Sequence, residues 1–146
     1  LLDTHWGVIV PLVAFNAPMM LLMIKNYFDG IPNELLESAR IDGAGSFRIW
    51  FQFMMPLSVP MLTNVLVLTF IYAWNDYLVP LLVMRSEENY TVTLAAQYFM
   101  SSTYQSPIDV ARIYAVMILL ALPSILVYLC SQKFLVSGVT AGAVKG

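Results

Sequence analysis

The chain contains 146 residues, of which 60% are hydrophobic and 11% are charged. An ordinary soluble domain has about 45–50% apolar and about 25% charged residues, so the composition excludes that class and indicates a protein embedded in lipid. The net charge of −2 and the scattered positions of the seven Lys and Arg argue against a nucleic-acid-binding surface. The single cysteine, Cys130, cannot form an intrachain disulfide, and we expect it to face lipid or to pack.

Three apolar segments are long enough to cross a bilayer, at about 6–28, 54–84 and 110–136. A helix rises about 1.5 Å per residue, so about 20 residues cover the ~30 Å hydrocarbon core. The sequence therefore predicts an all-α membrane protein with three transmembrane helices, forming a single membrane module over the whole chain. A loop at 29–53 joins the first two spans, and a loop at 85–107 joins the last two.

Prolines interrupt the predicted spans. Pro11 and Pro18 lie in the first, where we expect Asn16 to bond the carbonyls that they leave free. Pro123 is the predicted kink of the third. The second segment is longer than one span needs, so it must tilt, kink or run along an interface at one end.

Basic residues near the membrane edges indicate the orientation, because cytoplasmic flanks are enriched in Lys and Arg. Five of them share one side and two lie on the other: Lys25, Arg40, Arg48, Lys133 and Lys145 against Arg85 and Arg112. This bias predicts that the 29–53 loop and the C-terminus are cytoplasmic and that the 85–107 loop is extracytoplasmic. In the latter loop, Leu94, Ala95, Tyr98 and Phe99 follow a helical spacing that predicts a short amphipathic helix.

The cytoplasmic loop contains signals for a short helix from about Asn33 to Asp42. Pro32 suits a first helical position, acidic residues complement the positive helix end, and Gly43 is placed to terminate the helix. About ten residues form only a marginal helix in water, so this helix needs something to pack on. Ser46 is a possible N-cap of the next helix.

This short helix offers a surface to a second protein. Leu35, Leu36 and Ile41 provide apolar contact, while Ala39 and Gly43 allow close backbone approach at a four-residue spacing. A rigid helix tied to a spanning helix would transmit a partner's motion into the membrane as a rigid-body shift. The alternative is a solvated connector between two helices of an unrelated membrane protein.

An ordered motif crosses the same loop. It reads Glu37-Ser38-Ala39-Arg40-Ile41-Asp42-Gly43-Ala44, with Pro32 before it and Phe47, Pro56 and Pro60 after it. The series resembles the EAA loop of importer-type ABC permeases, with Ser38 where the family has alanine. The resemblance continues through the 70–77 segment to the glycine-spaced tail at 138–146, and it is similar to the maltose-type permease subunit of sugar importers.

The resemblance implies a six-helix or similar polytopic subunit whose last three helices this chain holds, so further helices are expected upstream. It implies as partners a second permease subunit, a cytoplasmic ABC ATPase dimer and an extracytoplasmic sugar-binding protein. The EAA loop would sit in a cleft of the ATPase, which uses ATP, while this chain would bind no cofactor. The residues expected to couple to the ATPase are Glu34, Leu36, Glu37, Ala39, Asp42, Gly43 and Ala44.

Polar residues in the spans are candidates for the solute path. They are Asn16, Asn64, Asn75 and Asp76. The alternative role is interhelical hydrogen bonding. If the second helix ends near Asp76, this carboxylate reaches the interface, but if the helix continues past Pro80 to Met84, the carboxylate lies about 12 Å inside the span.

No feature of the sequence supports an enzyme. The chain lacks G-x-x-x-x-G-K-[ST], so we expect a separate subunit to hydrolyse ATP. His5 is the only histidine, and no cluster of ligands supports a metal site. The leading interpretation is the permease subunit of an ATP-driven, binding-protein-dependent sugar importer in the cell membrane. The alternatives are an ABC permease for another small polar solute, such as a phosphorylated polyol, and a non-transporting membrane scaffold.

Overall fold

The computed structural model describes the backbone of residues 2–102 and 107–143 and the side chains of residues 2–101 and 110–132. These residues form helices and no β-strand. The α-helices are α1 (His5–Asp29), α2 (Asn33–Ile41), α3 (Ser46–Ile49), α4 (Met55–Asn75), α5 (Leu78–Val83), α6 (Val92–Ser102) and α7 (Pro107–Ala143). A π-helix at Trp50–Met54 joins α3 to α4, and a 3₁₀ turn at Glu87–Asn89 lies between α5 and α6.

Three helical segments are long and apolar enough to cross a membrane: His5–Asp29, Ser46–Asn75 and Val110–Gln132. The prediction of an all-α membrane protein with three spanning helices is confirmed. Many large apolar side chains on these helices are exposed, including Phe15 at 76% and Leu66 at 70%. Contiguous apolar exposure of this kind is what lipid, or further helices, would cover. Cys130 on α7 is likewise free and exposed.

The second span ends before Pro80. Of the two alternatives for this span, the one in which its helix continues past Pro80 to Met84 is therefore wrong. α4 stops at Asn75, Asp76 and Tyr77 are not helical, and α5 begins at Leu78. Pro80 falls in the first turn of α5, where its missing N–H costs no intrahelical bond. The span is extended at its other end instead, because α3 and the π-helix lead into α4 without a break.

The role expected for Asn16 is also wrong. In the α-helical pattern, Pro11 and Pro18 free the carbonyls of Gly7 and Ala14, four residues before them. Asn16 Nδ2 instead donates to the Leu12 carbonyl at 2.8 Å. α1 nevertheless runs through both prolines without interruption.

The chain divides into two compact units. The first contains Leu1–Ala17 and Leu68–Cys130, and the second contains Pro18–Val67 and Ser131–Gly146. The core of the first unit consists of Val8, Met84 and Leu94, with Leu12, Tyr77, Val79, Val83 and Tyr90 packed against it. Leu94 is 1% exposed, so α6 belongs to this core.

The helix predicted in the 85–107 loop is present as α6, but its buried face differs from the prediction. Leu94 and Ala96 are buried, whereas Ala95, Tyr98 and Phe99 are exposed. The four-residue pattern therefore identified the helix and one of its two buried residues. Residues 103–106 of this loop and 144–146 of the tail lie outside the described residues.

The segment before α1 is bonded to the loop between α5 and α6. The Asp3 carboxylate accepts the backbone N–H groups of Arg85 and Ser86 at 3.0 Å each, and the Ser86 hydroxyl also donates to it. The Asp3 N–H donates to the Val83 carbonyl at 2.8 Å, and Asn89 Nδ2 donates to the Asp3 carbonyl at 3.1 Å. Because Ser86 and Arg85 donate to the charged form, they hold the pKa of Asp3 well below its ordinary value.

We expect Asp3→Asn to loosen this loop, because an amide replaces an acceptor with a donor and removes the charge. The lowered pKa means that the bonded carboxylate is fully present at every pH above the ordinary value of 3.8, and its contribution is lost progressively as the pH falls toward the folded-state value. In the full-length subunit in lipid at pH 7, hydrogen exchange of the Arg85 and Ser86 amides should become severalfold faster. Glu88→Gln, at an exposed acid of the same loop, is the control. Unchanged exchange of the Arg85 and Ser86 amides in Asp3→Asn would contradict the role of the Asp3 carboxylate in holding this loop.

Candidate functional site

The short helix between the first two spans forms as the sequence predicts, starting at Asn33 and ending at Ile41, one residue before the predicted end. Pro32 is the N-cap with extended backbone (φ −60°, ψ 131°), and Asn33 is the first helical residue. Glu34 lies in the first turn and Arg40 in the last, so each charge complements the nearer end of the helix dipole. Ser46 is not an N-cap, because Gly45 takes that position and Ser46 begins α3.

The end of α2 is closed by a Schellman motif. The Ala44 N–H donates to the Ala39 carbonyl at 3.0 Å, and the Gly43 N–H donates to the Arg40 carbonyl at 3.0 Å. These are the two bonds that define the motif, with the left-handed residue just after the helix cap. Gly43 is that residue, with φ of +78°. The Asp42-Gly43-Ala44 part of the loop motif therefore has a structural reason independent of any partner.

The two faces of α2 differ in exposure. Ala39 is only 4% exposed within this chain, so it packs α2 against its own unit and is not available as a contact surface. Ile41 is 85% exposed and Leu35 is 54% exposed, whereas Leu36 is half-buried. Two large apolar side chains therefore point away from the chain on a helix of nine residues. A helix this short is marginal in water and leaves an apolar surface for a partner.

The charged residues expected to couple remain on the outside of this segment. Glu34, Glu37 and Asp42 are all exposed, and Ala44 is half-buried beside the Schellman turn. Among the expected coupling residues, Ala39, Gly43 and Ala44 thus define the shape of the segment through its backbone. Of the expected coupling residues, the exposed acids are the ones whose side chains a partner can contact.

A groove that sequence reasoning missed lies beside α2 in the second unit. It encloses about 390 Å³. Its lining residues are Ile31, Leu35, Leu36, Gln52, Phe53, Met54, Pro56 and Leu57. The wall opposite α2 is the π-helix, in which the Met55 N–H donates to the Trp50 carbonyl five residues earlier. The π-helix ends two residues before Pro56, which has no N–H to offer the α-helical register, and this proline was the available sequence signal.

Contacts with the end of α1 hold the π-helix and the start of α4 in place. The Tyr27 hydroxyl donates to the Leu57 carbonyl at 2.5 Å. The rings of Phe28 and Trp50 lie 6.1 Å apart between centroids. Ser58 is 1% exposed and its hydroxyl bonds carbonyls of the preceding turn. One wall of the groove is therefore fixed by side chains of its own unit.

The polar residues proposed for a solute path are divided between the two units. Asn16, Asn75 and Asp76 belong to the first unit, whereas Asn64 belongs to the second and is 8% exposed. Asn75 Nδ2 donates to the Ile71 carbonyl at 2.8 Å and lies 3.5 Å from Ser124 Oγ. Local and interhelical bonding thus accounts for Asn75, while Asn16 bonds within its own helix.

Asp76 occupies the break between α4 and α5. Its Oδ2 is buried without a hydrogen-bond partner among the described residues. The last turn of α4, directly before it, is tied to two other helices: the Trp74 indole N–H donates to the Leu120 carbonyl at 2.9 Å, and the Thr93 hydroxyl donates to the Trp74 carbonyl at 2.7 Å. Among the candidate path residues, Asp76 is the one with a side-chain oxygen that is both buried and without a hydrogen-bond partner among the described residues.

Gly43→Ala should weaken the end of α2, because a Cβ at φ +78° costs an L-residue roughly 1–2 kcal/mol. Gly45→Ala is the matched control, since Gly45 has an ordinary φ of −68° and open space around its Cβ position. Hydrogen exchange of the Ala44 amide in the full-length subunit should accelerate about 5- to 30-fold in Gly43→Ala. It should stay unchanged in Gly45→Ala. Equal rates in both variants would contradict the assigned role of Gly43.

Comparison with known proteins identifies the family of the chain. The family model of the binding-protein-dependent transport system inner membrane component matches residues 1–141. The chain is 39% identical to the maltodextrin transport system permease protein of Bacillus subtilis over 99% of its own length and 51% of that protein. It is 35% identical to the arabinooligosaccharides transport system permease protein of the same species, over 100% of the chain and 50% of that protein.

A third relative carries a different solute in its name. The sn-glycerol-3-phosphate transport system permease protein of Yersinia pestis is 38% identical over 94% of the chain and 48% of that protein. The chain therefore spans about half the length of the curated relatives it matches. The resemblance to ABC permeases that the loop motif predicted is confirmed. The chain belongs to the family of binding-protein-dependent transport system inner membrane components, which are membrane permease subunits of ABC transporters.

Proposed function

We propose that the subunit containing this chain is the permease of an ATP-driven, binding-protein-dependent importer that moves a sugar across the cytoplasmic membrane. The observation that carries the proposal is α2: a short helix between two spanning segments, ended by a fixed turn at Gly43, with Ile41 85% exposed. A short helix of this kind is a surface that a cytoplasmic ATPase can bind in order to move the attached spanning helices. Family membership supports the proposal.

In the proposed mechanism the ATPase dimer binds and hydrolyses ATP, and this chain contributes no cofactor. The expected coupling residues act in two ways. Glu34, Glu37 and Asp42 are exposed and touch the ATPase, together with the apolar side chain of Ile41. Ala39 and Gly43 act indirectly by fixing the position and the end of the helix. Closure of the ATPase dimer moves α2 as a rigid body, and α3 passes this motion to the second span.

The proposal includes a second permease subunit, an extracytoplasmic sugar-binding protein and a cytoplasmic C-terminus. The positions of the basic residues support the orientation. Lys25, Arg40 and Arg48 fall in the second unit, while Arg85 and Arg112 fall in the first. Basic residues mark the cytoplasmic flank, and this supports a cytoplasmic 29–53 loop. The side chain of Lys133 and all of Lys145 lie outside the described residues.

A phosphorylated polyol is the second candidate solute, because one relative at 38% identity is named for sn-glycerol 3-phosphate. Two other relatives are named for arabinooligosaccharides and maltodextrin, so we favour an oligosaccharide. A phosphate group needs positive charge in its binding site. The candidate path residues of this chain are neutral amides and one carboxylate, Asp76, which suit sugar hydroxyls better than a phosphate dianion.

Uptake by the assembled transporter in proteoliposomes tests this function. With ATP inside, labelled oligosaccharide should accumulate, and unlabelled sn-glycerol 3-phosphate should not compete. Ile41→Asp should reduce uptake by about tenfold or more, because it buries an unpaired charge in the contact with the ATPase. Ile41→Val, which keeps the apolar surface, is the matched control. Competition by sn-glycerol 3-phosphate would contradict the sugar as solute and favour a phosphorylated polyol. ATP-independent uptake of both solutes would contradict the proposal that the protein belongs to an ATP-driven importer.

A further inference from the structure

We propose that the second and third spans each contain a hinge, at Pro60 and at Pro123. Tyr27 and Trp74 are positioning residues that hold these hinges in one bend. Each of them lies on the preceding span and donates a hydrogen bond to the backbone of the turn that the proline opens. The use of the hinges in transport rests on the proposed function.

Both prolines lie inside long helices. Pro60 is in α4 and Pro123 is in α7. A proline inside a helix leaves the carbonyl four residues before it without an N–H partner, and the proline ring clashes with that carbonyl, which bends the helix. In a bilayer such an opened turn is tolerated when a neighbouring helix or side chain supplies a donor.

The two donors reach the same position relative to their prolines. The Tyr27 hydroxyl donates to the Leu57 carbonyl at 2.5 Å, three residues before the proline of α4. The Trp74 indole N–H donates to the Leu120 carbonyl at 2.9 Å, three residues before the proline of α7. In each case the acceptor directly follows the carbonyl that the proline frees. The first contact lies within the second unit and the other within the first unit, so the same register arises twice.

Further contacts fix the Trp74 side chain beside its hinge. The indole stacks on the ring of Phe70, with centroids 5.7 Å apart and planes 18° apart. The Thr93 hydroxyl donates to the Trp74 carbonyl at 2.7 Å. Asn75 Nδ2 lies 3.5 Å from the hydroxyl oxygen of Ser124, the residue directly after the proline of α7. The donor is therefore held by α4 and α6, while the turn that it reaches belongs to α7.

A hinge at Pro60 gives the proposed motion of α2 a place to act. Closure of the ATPase moves α2, α3 and the start of the second span together, and bending at Pro60 changes the angle between the two parts of the span. The hydrogen bond from Tyr27 stabilises one bend. An interhelical bond of this kind shifts such an equilibrium about two- to tenfold. It sets a resting conformation that nucleotide can still reverse.

Spin labels on either side of the first hinge test the inference in the assembled transporter, in nanodiscs and without nucleotide. The labels are attached at Phe51→Cys and Leu66→Cys, two exposed positions about 22 Å apart along the helix, and Cys130→Ser removes the native thiol. Tyr27→Phe removes only the hydroxyl and should shift the equilibrium between two label distances about two- to tenfold. Tyr72→Phe, at an exposed tyrosine of the same span, should leave it unchanged.

Pro60→Ala separates a hinge from an ordinary contact between helices. It restores the N–H and closes the turn, so adding Tyr27→Phe should then change the label distances little. An equal effect of Tyr27→Phe with and without Pro60→Ala would overturn the inference. Unchanged distances in Tyr27→Phe alone would overturn it as well.

The third span provides a reciprocal control. Labels at Tyr114→Cys and Leu129→Cys occupy exposed positions on either side of Pro123. Trp74→Phe keeps an aromatic ring and removes the N–H donor, so it should change this distance and leave the 51–66 distance unchanged. If Trp74→Phe changes both distances, the effect is a general loosening and the inference fails.

Uptake separates this inference from the proposed function. Pro60→Ala should lower the maximum rate of ATP-driven sugar uptake severalfold with KM unchanged, because the hinge acts on the conformational change and not on solute binding. ATP should change the 51–66 distance when the native proline is present. If the label distances respond as expected but no solute is taken up, the hinges stand and the proposed function fails. If uptake is ATP-driven and Pro60→Ala leaves it at the normal rate, the hinge is overturned.

Discussion

The left-handed backbone of Gly43 is the constraint on which the segment between the first two spans depends. It lets the chain reverse directly after Ile41 while Ala44 and Gly43 bond back to the last turn of α2. The reversal brings α3 against α2, buries Ala39, and leaves Ile41 outside. Without this turn a nine-residue helix has little to hold it, since nucleation costs more than so few bonds repay.

A second break organises the other end of the second span. α4 ends at Asn75, and its last turn is bonded through Trp74 to a carbonyl group of α7 and a hydroxyl group of α6. Asp3 anchors the neighbouring loop in the same unit. The unsatisfied oxygen of Asp76 sits at this break.

Local signals predicted the local structure well. Proline, acids and glycine around 32–43 predicted α2 because capping and helix termination are decided by adjacent residues. The exposure of Ala39 could not be predicted, since it depends on packing against its own unit. Pro80 was ambiguous because a proline interrupts a helix interior but fits a first turn. The groove escaped prediction because a π-helix shifts the side-chain register, and hydrophobic periodicity does not reveal this shift.

The central claim is that α2 contacts the ATPase. Its most direct test is crosslinking from Ile41→Cys, in the full-length subunit with Cys130→Ser, to the co-expressed ATPase with and without nucleotide. Ile41 is 85% exposed, and Leu82→Cys, at a position 69% exposed on α5, is the control. The account predicts a crosslink from position 41 that changes with nucleotide and none from position 82. No crosslink from position 41, in a complex that contains the ATPase and with the cysteine reactive from the cytoplasmic side, would contradict it.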